Sequence, residues 1–593
     1  MINQNCPRAE YPRPHLVRED WLCLNGEWDF EIDNARVGYS KGYQLDYKLS
    51  SKITLPFCPE SELSGIGHTD FMNSVWYKRE VEIPESFTGK RVILHIEACD
   101  WETTVYVGGK VVKKHIGGYT PITCDITDHI KYGKALIAVE AFDDVRSGRQ
   151  LAGKQSTKFA SYGCFYTRTT GIWQSVWLEA VNPAYLVNYN VHSDIETPSA
   201  TLIAKVSEGA YGKNISATVS YEGKVVGGAS CKITSETATL NCKLSERHLW
   251  EVGKGRLYDV TFEISEDSGA VLDTVSAYFG LRTVTMNKEG FFLNGEYVFG
   301  RFVLDQGFYP DGIYTASSDE ALKADIEYSM ALGFNGARLH QKVFEQRFIY
   351  HADKLGYMLF DETGNWGWDW TNDANIYTIL PEWIEEMERD MAHPSIIGWC
   401  PFNETWDKKE SGRRQSQRLI SLVYDVTRSI DPTRPCVVNS GSLPCYDITG
   451  IQLGCCNDIH DYTQDPEAFA KVFTDIGNGV ITDQLYYRYG KDRMKYDTSK
   501  SLFVSEYGGI AWAMDGTGWG YGKSVANEEE FFSRLEGLTA VLRENPECCA
   551  LCYTQLYDVE QEQNGLLTYD RRFKFPAEKI YPIFAAKSVK ERK

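Results

Sequence analysis

The chain has 593 residues, 43% of them hydrophobic and 13% aromatic, which is enough for about three or four separately packed cores. Its net charge of −20 excludes nucleic acid and anionic membrane surfaces as partners, because both are bound through basic patches. No apolar run approaches the roughly 18 residues of a membrane span, and residues 1–8 lack the pattern of a signal peptide. The 16 Cys are scattered, several of them within apolar runs, so free thiols in a reducing cytoplasm are expected.

Residues 1–182 are rich in short β-strand patterns. The run Val92–Ala98 followed by Thr103–Val112, with a Gly-Gly turn, predicts a β-hairpin. Ala135–Ala141 and Ser175–Val181 add further short strands. Many short strands with few helical periods are typical of a β-sandwich.

Residues 183–285 show the same kind of pattern on a smaller scale. In Ile215–Tyr221 polar and apolar side chains alternate, as they do in a strand with one buried face. About 100 residues of such alternation predict an immunoglobulin-like β-sandwich. The Cys-Trp-Cys spacing of antibody domains is absent from this stretch.

Strands and helices alternate over residues 286–593. Ser317 and Glu320 form a capping-box pattern at the start of one helix, and a second helix is expected to end at Gly356. Apolar strand runs follow these helices at Phe334–Leu339, Tyr357–Phe360 and Ile396–Trp399. The alternation predicts a (β/α)₈ TIM barrel, whose active site lies at the carboxyl ends of its strands.

Two predicted barrel strands each deliver a carboxylate to that end of the barrel. The run Gly398–Phe402 leads into Asn403 and Glu404, and the run Leu502–Ser505 leads into Glu506. Two carboxyls in one pocket suit glycoside hydrolysis, in which one donates a proton and the other attacks the sugar. Because Asn403 can bind a sugar hydroxyl beside the reacting carbon, Glu404 is predicted to be the acid/base and Glu506 the nucleophile. An ordinary surface charge is the alternative for any single acid.

Four other strand-end residues are candidates for the same pocket. Arg338 is expected to keep Glu506 ionised through charged hydrogen bonds, with pairing to a structural acid as the alternative. Glu362 competes for a catalytic role because it also follows an apolar strand. His460 and Tyr462 end a later strand and are expected to contact substrate or to pack within their loop.

Aromatic and polar residues near these strand ends complete the candidate set. Trp366 follows Glu362 and Trp512 follows Glu506, so both rings are expected to stack on sugar, with core packing as the alternative. Asp305 and His340 are also predicted to bind substrate.

Six segments spread over nearly the whole chain carry a family pattern. They are Leu24–Trp28, Trp76–Arg79, Arg168–Glu179, Gly280–Arg282, His393–Trp399 leading to Asn403-Glu404, and Ser505–Gly508. They resemble glycoside hydrolase family 2, the family of β-galactosidases, β-glucuronidases and β-mannosidases. The resemblance implies a sugar-binding jelly roll over residues 1–182, retention of configuration, a covalent glycosyl-enzyme at Glu506 and proton transfer by Glu404.

Two departures from the family pattern bear on the substrate. Asn335 and Arg338 match the pattern after the second strand, but the Ser-His-Tyr-Pro that many members have there is missing. The histidine of this segment, His340, lies closer in sequence to the arginine than it does in those members. Glucuronidases have an Asn-x-Lys pair near the last strand to hold the sugar carboxylate. The corresponding residues 560–566 are acidic and contain no Lys, which disfavours a glucuronide through charge repulsion.

The sequence therefore predicts a retaining exo-glycosidase that acts on terminal, β-linked sugars of glycosides or oligosaccharides and is β-galactosidase-like. A galactofuranosidase or arabinofuranosidase, a transglycosylase, and a catalytically silent carbohydrate-binding protein stay open. No cofactor is required by this chemistry. Some family members hold Mg²⁺ or Na⁺ near the site, which by resemblance would place an ion on Asp361 or Glu362. Sandwich edges leave a homo-oligomer open as well.

Overall fold

The structure is a computed structural model, and it describes residues 6–408, 412–442, 444–447, 449–477, 496–514 and 516–593. Within these residues the chain forms two β-sandwiches followed by a barrel, as the sequence patterns predict. No helix in the described part combines the length and the apolar character needed to cross a bilayer.

A single strand of two residues, β1 (Leu16–Val17), precedes the first sandwich. The first sandwich consists of β2 (Trp21–Cys23), β3 (Gly26–Ile32), α1 (Gly38–Lys41), β4 (Ser51–Leu55), β5 (Ser74–Glu82), β6 (Arg91–Ile96), β7 (Cys99–Asp100), β8 (Glu102–Val107), β9 (Lys110–Ile116), β10 (Ile122–Asp125), β11 (Lys134–Phe142), β12 (Gly171–Ile172) and β13 (Val176–Val181). Its antiparallel sheets have the strand orders β4-β3-β5-β11-β8-β9 and β10-β6-β13-β2. The predicted Gly-Gly turn joins β8 to β9 at Gly108 and Gly109, both with positive φ.

The second sandwich is a single curled sheet. Its strands are β14 (Leu186–Asp194), β15 (Ser199–Val206), β16 (Asn214–Tyr221), β17 (Lys224–Lys232), β18 (Thr237–Leu244), β19 (Tyr258–Ser265) and β20 (Val271–Phe279). In β18 exposed and buried residues alternate without exception, which is the pattern that the sequence predicts for this unit. The edge of the sheet is completed by β1, where Leu16 pairs with Ala277, so a segment ahead of the first sandwich joins the second.

A small three-stranded meander, β21 (Val284–Asn287), β22 (Gly290–Leu293) and β23 (Glu296–Tyr297), leads into the barrel. The barrel strands are β24 (Gly300–Asp305), β25 (Gly336–Leu339), β26 (Met358–Glu362), β27 (Ile396–Cys400), β28 (Asn457–Asp461), β29 (Leu502–Gly508) and β30 (Cys548–Thr554). The helices are α2 (Asp319–Ala331), α3 (Gln346–Leu355), α4 (Ile376–Asp390), α5 (Gln417–Ile430), α6 (Pro466–Gly477), α7 (Glu528–Glu544) and α8 (Ala577–Ala585). Phe302, Phe360 and Phe503 fill the interior of the barrel with ring centroids 5.4–5.8 Å apart.

The seven regular barrel strands are parallel, in the order β27-β26-β25-β24-β30-β29-β28. The eighth position, between β27 and β28, is taken by residues 436–440, which are joined to the end of β27 by single bridges from Cys436 to Trp399 and from Ser440 to Asn403. This order brings the carboxyl ends of all eight positions to one mouth.

Helix ends follow the sequence expectations with one correction. Gly356 ends α3 in the left-handed conformation, at φ +70°. The N-cap of α2 is Ser318 and not Ser317, because the Ser318 side chain accepts a hydrogen bond from the N–H of Ala321.

Candidate active site

Glu404 lies just beyond the end of β27, at the mouth of the barrel. Its backbone N–H donates to the carbonyl oxygen of Ser440 at 2.9 Å. Its φ of +51° is left-handed, a conformation that costs free energy in a non-glycine residue and recurs at functional sites. The turn directs the carboxyl towards His460, whose Nδ1 lies 2.8 Å from Oε1 of Glu404.

Glu506 lies within β29 and is only 4% exposed. Oε1 accepts from Nη1 of Arg338 at 3.2 Å, and Oε2 accepts from the Tyr462 hydroxyl at 2.5 Å. Burial by itself would raise the pKa of this carboxyl, but the charges of His460, His340 and Arg338 outweigh burial and hold the pKa at about 2. Glu506 is therefore ionised at neutral pH, as a carboxylate nucleophile must be.

The two carboxyls lie close together around one imidazole. One oxygen of Glu404, one oxygen of Glu506 and one ring nitrogen of His460 all lie within 4.8 Å of one another. Carboxyls about 5 Å apart are typical of retaining glycosidases, whereas inverting enzymes separate them by roughly 6.5–9.5 Å to admit a water. The arrangement suits direct attack by one of the carboxylates.

Arg338, at the end of β25, ties the floor of the pocket together. Its Nη2 donates to Oε2 of Glu362 at 2.6 Å and to Oδ1 of Asn403 at 3.0 Å, while Nη1 also donates to the Ser505 carbonyl at 2.9 Å. The guanidinium is 1% exposed, so all of these bonds are shielded from water. Arg338 thus holds both Asn403, the residue before Glu404, and Glu506 through one guanidinium group.

Glu362 supports this network from β26. Its Oε1 accepts from the N–H of Gln341 at 3.2 Å and lies 3.1 Å from Nδ1 of His340. Burial raises the pKa of Glu362, but Arg338 and His340 outweigh burial and lower it. Burial lowers the pKa of His340. Both Glu362 oxygens are therefore occupied by neighbouring protein groups.

Asn403 presents a free donor to the pocket. Its carbonyl oxygen accepts from Nε1 of Trp366 at 3.1 Å and from Nδ2 of Asn365 at 3.0 Å, and its Oδ1 is held by Arg338. Its own Nδ2 is buried and has no hydrogen-bond partner within the described ranges. Since buried donors are nearly always paired, this N–H₂ group is the natural contact for a substrate hydroxyl.

His460 and Tyr462 come from the end of β28 and its loop. Nε2 of His460 lies 2.9 Å from the hydroxyl of Ser440, and burial lowers the pKa of His460 while Glu506 and Glu404 raise it by more. The Tyr462 ring stacks on Tyr521 at a centroid distance of 3.5 Å. Both side chains thus reach the carboxyl pair from the same strand.

Two sequence candidates lie elsewhere. The ring of Trp512 packs against Phe531 and Phe575, although this residue follows Glu506 closely in sequence. The carboxyl of Asp305 accepts from the Tyr557 hydroxyl and from the N–H of Gly307, and burial raises its pKa to about 6. None of the contacts described for these two side chains reaches Glu404 or Glu506.

Three groups that the sequence reasoning did not select also line this pocket. Lys154, from the first sandwich, places Nζ 4.1 Å from the centroid of the Trp366 ring. Tyr166, from the same sandwich, donates its hydroxyl to Oε2 of Glu562 at 2.6 Å. No local pattern distinguishes Lys154 or Tyr166, whereas Glu562 belongs to the acidic segment near the last strand.

Asp361 and Glu362 do not form a metal cage. Glu362 is bound by protein donors, and Asp361 is fully buried towards α4, where burial raises its pKa well above the ordinary range. In the part of the chain that is described, Glu404, His460 and Glu506 are the one group of three potential ligands within 4.8 Å. Within this group Nδ1 of His460 lies 2.8 Å from Oε1 of Glu404 and 3.3 Å from Oε2 of Glu506.

Family models match three consecutive stretches of the chain. The sugar binding domain of glycosyl hydrolases family 2 matches residues 22–180, a second domain of glycosyl hydrolases family 2 matches residues 184–282, and the TIM barrel domain of the same family matches residues 315–531. The three stretches follow the two sandwiches and the barrel of the structure.

Similar proteins carry the names of two enzyme specificities. A β-galactosidase of Thermoanaerobacter pseudethanolicus is 26% identical over 504 residues, which are 83% of this chain and 61% of that protein. A putative β-glucuronidase of Formosa agariphila is 27% identical over 60% of this chain and 44% of its own length. Human β-glucuronidase is 24% identical over 84% of this chain and 79% of its own length. The chain thus spans less than two thirds of the first two relatives.

Solved structures share the fold over almost the entire length. The β-glucuronidase of Ruminococcus gnavus in complex with D-glucuronic acid has a TM-score of 0.77 at 19% identity, covering 98% of this chain and 100% of that one. A β-glucuronidase from an uncultured Clostridium sp. has a TM-score of 0.76 at 18% identity, covering 97% and 99%. Likeness at this identity establishes the common architecture.

Proposed function

The chain belongs to glycosyl hydrolases family 2, and on that premise we propose that it is a retaining, exo-acting β-glycosidase with Glu506 as nucleophile and Glu404 as acid/base. The observation that carries the proposal is the placement of one oxygen of each carboxyl within 4.8 Å around His460. That spacing leaves room for direct attack on the sugar and not for a water in between.

The roles follow from the environments of the two carboxyls. Glu506 is buried, ionised and held by Arg338 and Tyr462, so it can attack the anomeric carbon and form a glycosyl ester. Glu404 is more exposed, with 22% of its side chain accessible, which suits a group that protonates the leaving oxygen and then takes a proton from water. The free N–H₂ of Asn403 would bind a hydroxyl beside the reacting carbon.

The first sandwich supports an exo mode of action. Lys154 contacts the Trp366 ring and Tyr166 bonds to Glu562, so that unit lies beside the residues around the two carboxyls. A pocket walled in this way suits one terminal sugar better than the middle of a long chain. The relatives indicate two sugar classes to test first, β-galactosides and β-glucuronides.

The test is turnover of a panel of 4-nitrophenyl glycosides, comprising β-galactoside, β-glucoside, β-mannoside, β-glucuronide, β-galactofuranoside and α-arabinofuranoside. We expect Glu506→Gln to lower kcat by at least about 10⁴-fold on the active sugar. Glu327→Gln, an exposed glutamate on α2, is the matched control and should retain wild-type turnover. Near-wild-type turnover by Glu506→Gln would refute the assignment.

Two further measurements separate the roles of the carboxyls. A 2-deoxy-2-fluoro β-glycoside of the active sugar should label Glu506 covalently, as peptide mass spectrometry would show. Glu404→Gln should keep activity only on substrates with good leaving groups and should regain rate with azide, which needs no base. If NMR showed that the first sugar product has the inverted anomeric configuration, the retaining mechanism would be excluded.

A further inference from the structure

Lys154 is a buried cation that the mechanism above does not use. It lies on the segment of the first sandwich that docks at the mouth of the barrel, and only 6% of it is exposed. Its Nζ stands 4.1 Å from the centroid of the Trp366 ring, and Trp366 is in turn bonded to the carbonyl oxygen of Asn403. The ammonium group therefore lies on the wall of the pocket that holds the two catalytic carboxyls.

Backbone contacts hold this lysine firmly in place. The N–H of Ala152 donates to the Trp366 carbonyl at 2.8 Å, and the N–H of Gly153 donates to the Gly364 carbonyl at 2.9 Å. The carbonyl of Lys154 itself accepts from the N–H of Tyr166 at 2.7 Å. The backbone of Lys154 is thus fixed by a docked segment, and its ammonium group lies against the Trp366 ring.

Within the described ranges, Nζ of Lys154 makes no hydrogen bond to the protein and no ion pair within 4 Å. The buried Lys342 shows the contrast, because its Nζ donates to the carbonyls of Gly307 and Tyr314. Burial lowers the pKa of Lys342 to about 7. A buried ammonium that contacts an aromatic ring but donates no hydrogen bond is costly, so Lys154 requires another explanation.

The surroundings of Lys154 keep it charged. Burial lowers its pKa, but the negative charges of Glu562, Glu506 and Glu404 contribute to a net increase. Glu562 does not bind the ammonium directly, since its oxygens accept from the Tyr166 hydroxyl at 2.6 Å and from Nδ2 of Asn564 at 3.1 Å. The pocket therefore offers one positive charge with open hydrogen-bonding capacity.

We propose that Lys154 is the specificity-determining residue that binds a carboxylate on the sugar, so that the preferred substrate class is a β-uronide; this rests on the proposed function. It reverses the expectation drawn from the acidic residues 560–566 alone, because the cation comes from a different unit of the fold. The ammonium has open hydrogen-bonding capacity for one carboxylate group. The neighbouring Glu404, Glu506 and Glu562 would repel a phosphate dianion more strongly than a carboxylate with a single charge.

The test compares matched pairs of substrates in wild type and in Lys154→Met. The pairs are 4-nitrophenyl β-D-glucuronide with β-D-glucoside and β-D-galacturonide with β-D-galactoside, which differ only at C6. We expect the ratio of kcat/KM for the uronide to that for the neutral sugar to fall by about 100-fold or more. Lys154→Arg should keep a larger ratio than Lys154→Met, because it retains the charge.

Lys158→Met is the control. Lys158 lies on the same loop but is exposed, and its Nζ stands 3.9 Å from the centroid of the Tyr162 ring. Its substrate ratio should match that of the wild type. If Lys154→Met does not fold, wild-type inhibition by free D-glucuronate and D-glucose provides the answer, with much stronger inhibition expected from the uronate.

Three results would overturn the proposal. A wild-type enzyme that turns over neutral glycosides but no uronide would do so, while leaving the proposed function intact. An equal loss on both members of a pair would show that Lys154 only supports the structure. Equal inhibition by D-glucuronate and D-glucose would likewise exclude a carboxylate site. Failure of the proposed function is distinct, since it appears as persistent turnover by Glu506→Gln.

Discussion

The imidazole Nδ1 of His460 lies 2.8 Å from Oε1 of Glu404 and 3.3 Å from Oε2 of Glu506, so one ring faces both reacting carboxyls. Its other nitrogen is fixed by the hydroxyl of Ser440 at 2.9 Å. This orientation makes the charge of His460 common to Glu404, the proposed acid/base, and Glu506, the proposed nucleophile.

The first prediction concerns the pH dependence of His460→Asn. Burial opposes ionisation of Glu506, and His460 makes the largest contribution to holding its pKa at about 2. Without the imidazole the pKa of Glu506 should rise, so the acid limb of the kcat/KM profile should move to higher pH by about one unit or more. At pH values above the acid limb, kcat/KM of His460→Asn should be lower than that of the wild type by a constant factor. A variant with lower activity but an unmoved acid limb would contradict this role.

The second prediction concerns Tyr462→Phe. The hydroxyl donates to Oε2 of Glu506 and lies 3.1 Å from Oγ1 of Thr554, and the phenylalanine ring can keep the stacking on Tyr521. Loss of one donor to the reacting carboxylate should lower kcat by roughly 10²-fold. Tyr377→Phe, at a tyrosine that is 82% exposed, serves as the control and should leave kcat as in the wild type. Steady-state kinetics on the active sugar would decide.

The third prediction tests how the first sandwich is docked. Gly153 has φ +53°, and a Cβ at this position would lie 2.1 Å from the carbonyl oxygen of Gln341. Gly153→Ala should therefore displace the segment and lower kcat/KM by about 10²-fold, since displacements near 1 Å can have such effects. Gly163→Ala is a matched control, because Gly163 has the same φ with nothing within 4 Å of its Cβ position.

Equal losses of activity in the two glycine variants would show that backbone strain, and not the clash, is responsible. Both substitutions place alanine in the left-handed region, which costs about 1–2 kcal/mol of folding free energy. Gly153→Ala should also lower the unfolding temperature more than Gly163→Ala, because only Gly153→Ala adds a backbone clash to the left-handed strain.

The fourth prediction concerns stability at alkaline pH. Glu386 of α4 is fully buried near Asp361, neither of its oxygens has a hydrogen-bond partner in the described residues, and burial raises its pKa well above the ordinary range. A carboxyl with a raised pKa favours folding at low pH, and its contribution is lost as the pH rises through the folded-state pKa. Glu386→Gln cannot ionise and should unfold at a higher temperature than the wild type at pH 9.

At pH 5 the difference between Glu386→Gln and the wild type should be smaller. Glu388→Gln, an exposed neighbour on the same helix, should show no such trend. The expected gain in the free energy of unfolding at pH 9 is roughly 1 kcal/mol or more. A gain that is the same at both pH values would indicate improved packing and not a titration.

Local patterns were sufficient for the residues that belong to single strands. Glu404 and Glu506 could be selected because each follows an apolar run, and parallel strands in a barrel end at one mouth. The same reasoning reached Arg338, which the structure places between Glu362, Asn403 and Glu506. Each of these positions depends on the period and polarity of one segment.

Proximity in sequence was misleading where the chain turns after a strand. Trp512 follows Glu506 closely, but its ring packs on Phe531 and Phe575 instead of on the pocket. Asp361 and Glu362 are adjacent, yet side chains in a strand alternate between faces, so one points to α4 and the other to the barrel interior.

The sequence by itself determined the order of sandwich, sandwich and barrel, and the two carboxyls with their arginine, because hydrophobic period and strand polarity are local properties. Only the tertiary structure decided which residue faces those carboxyls from another unit. Lys154 lies 250 positions before Glu404 and shares no motif with it. Its place depends on how Ala152 and Gly153 dock on the barrel, a contact between two surfaces that no local pattern encodes. Charge at the pocket is therefore a property of the assembled domains.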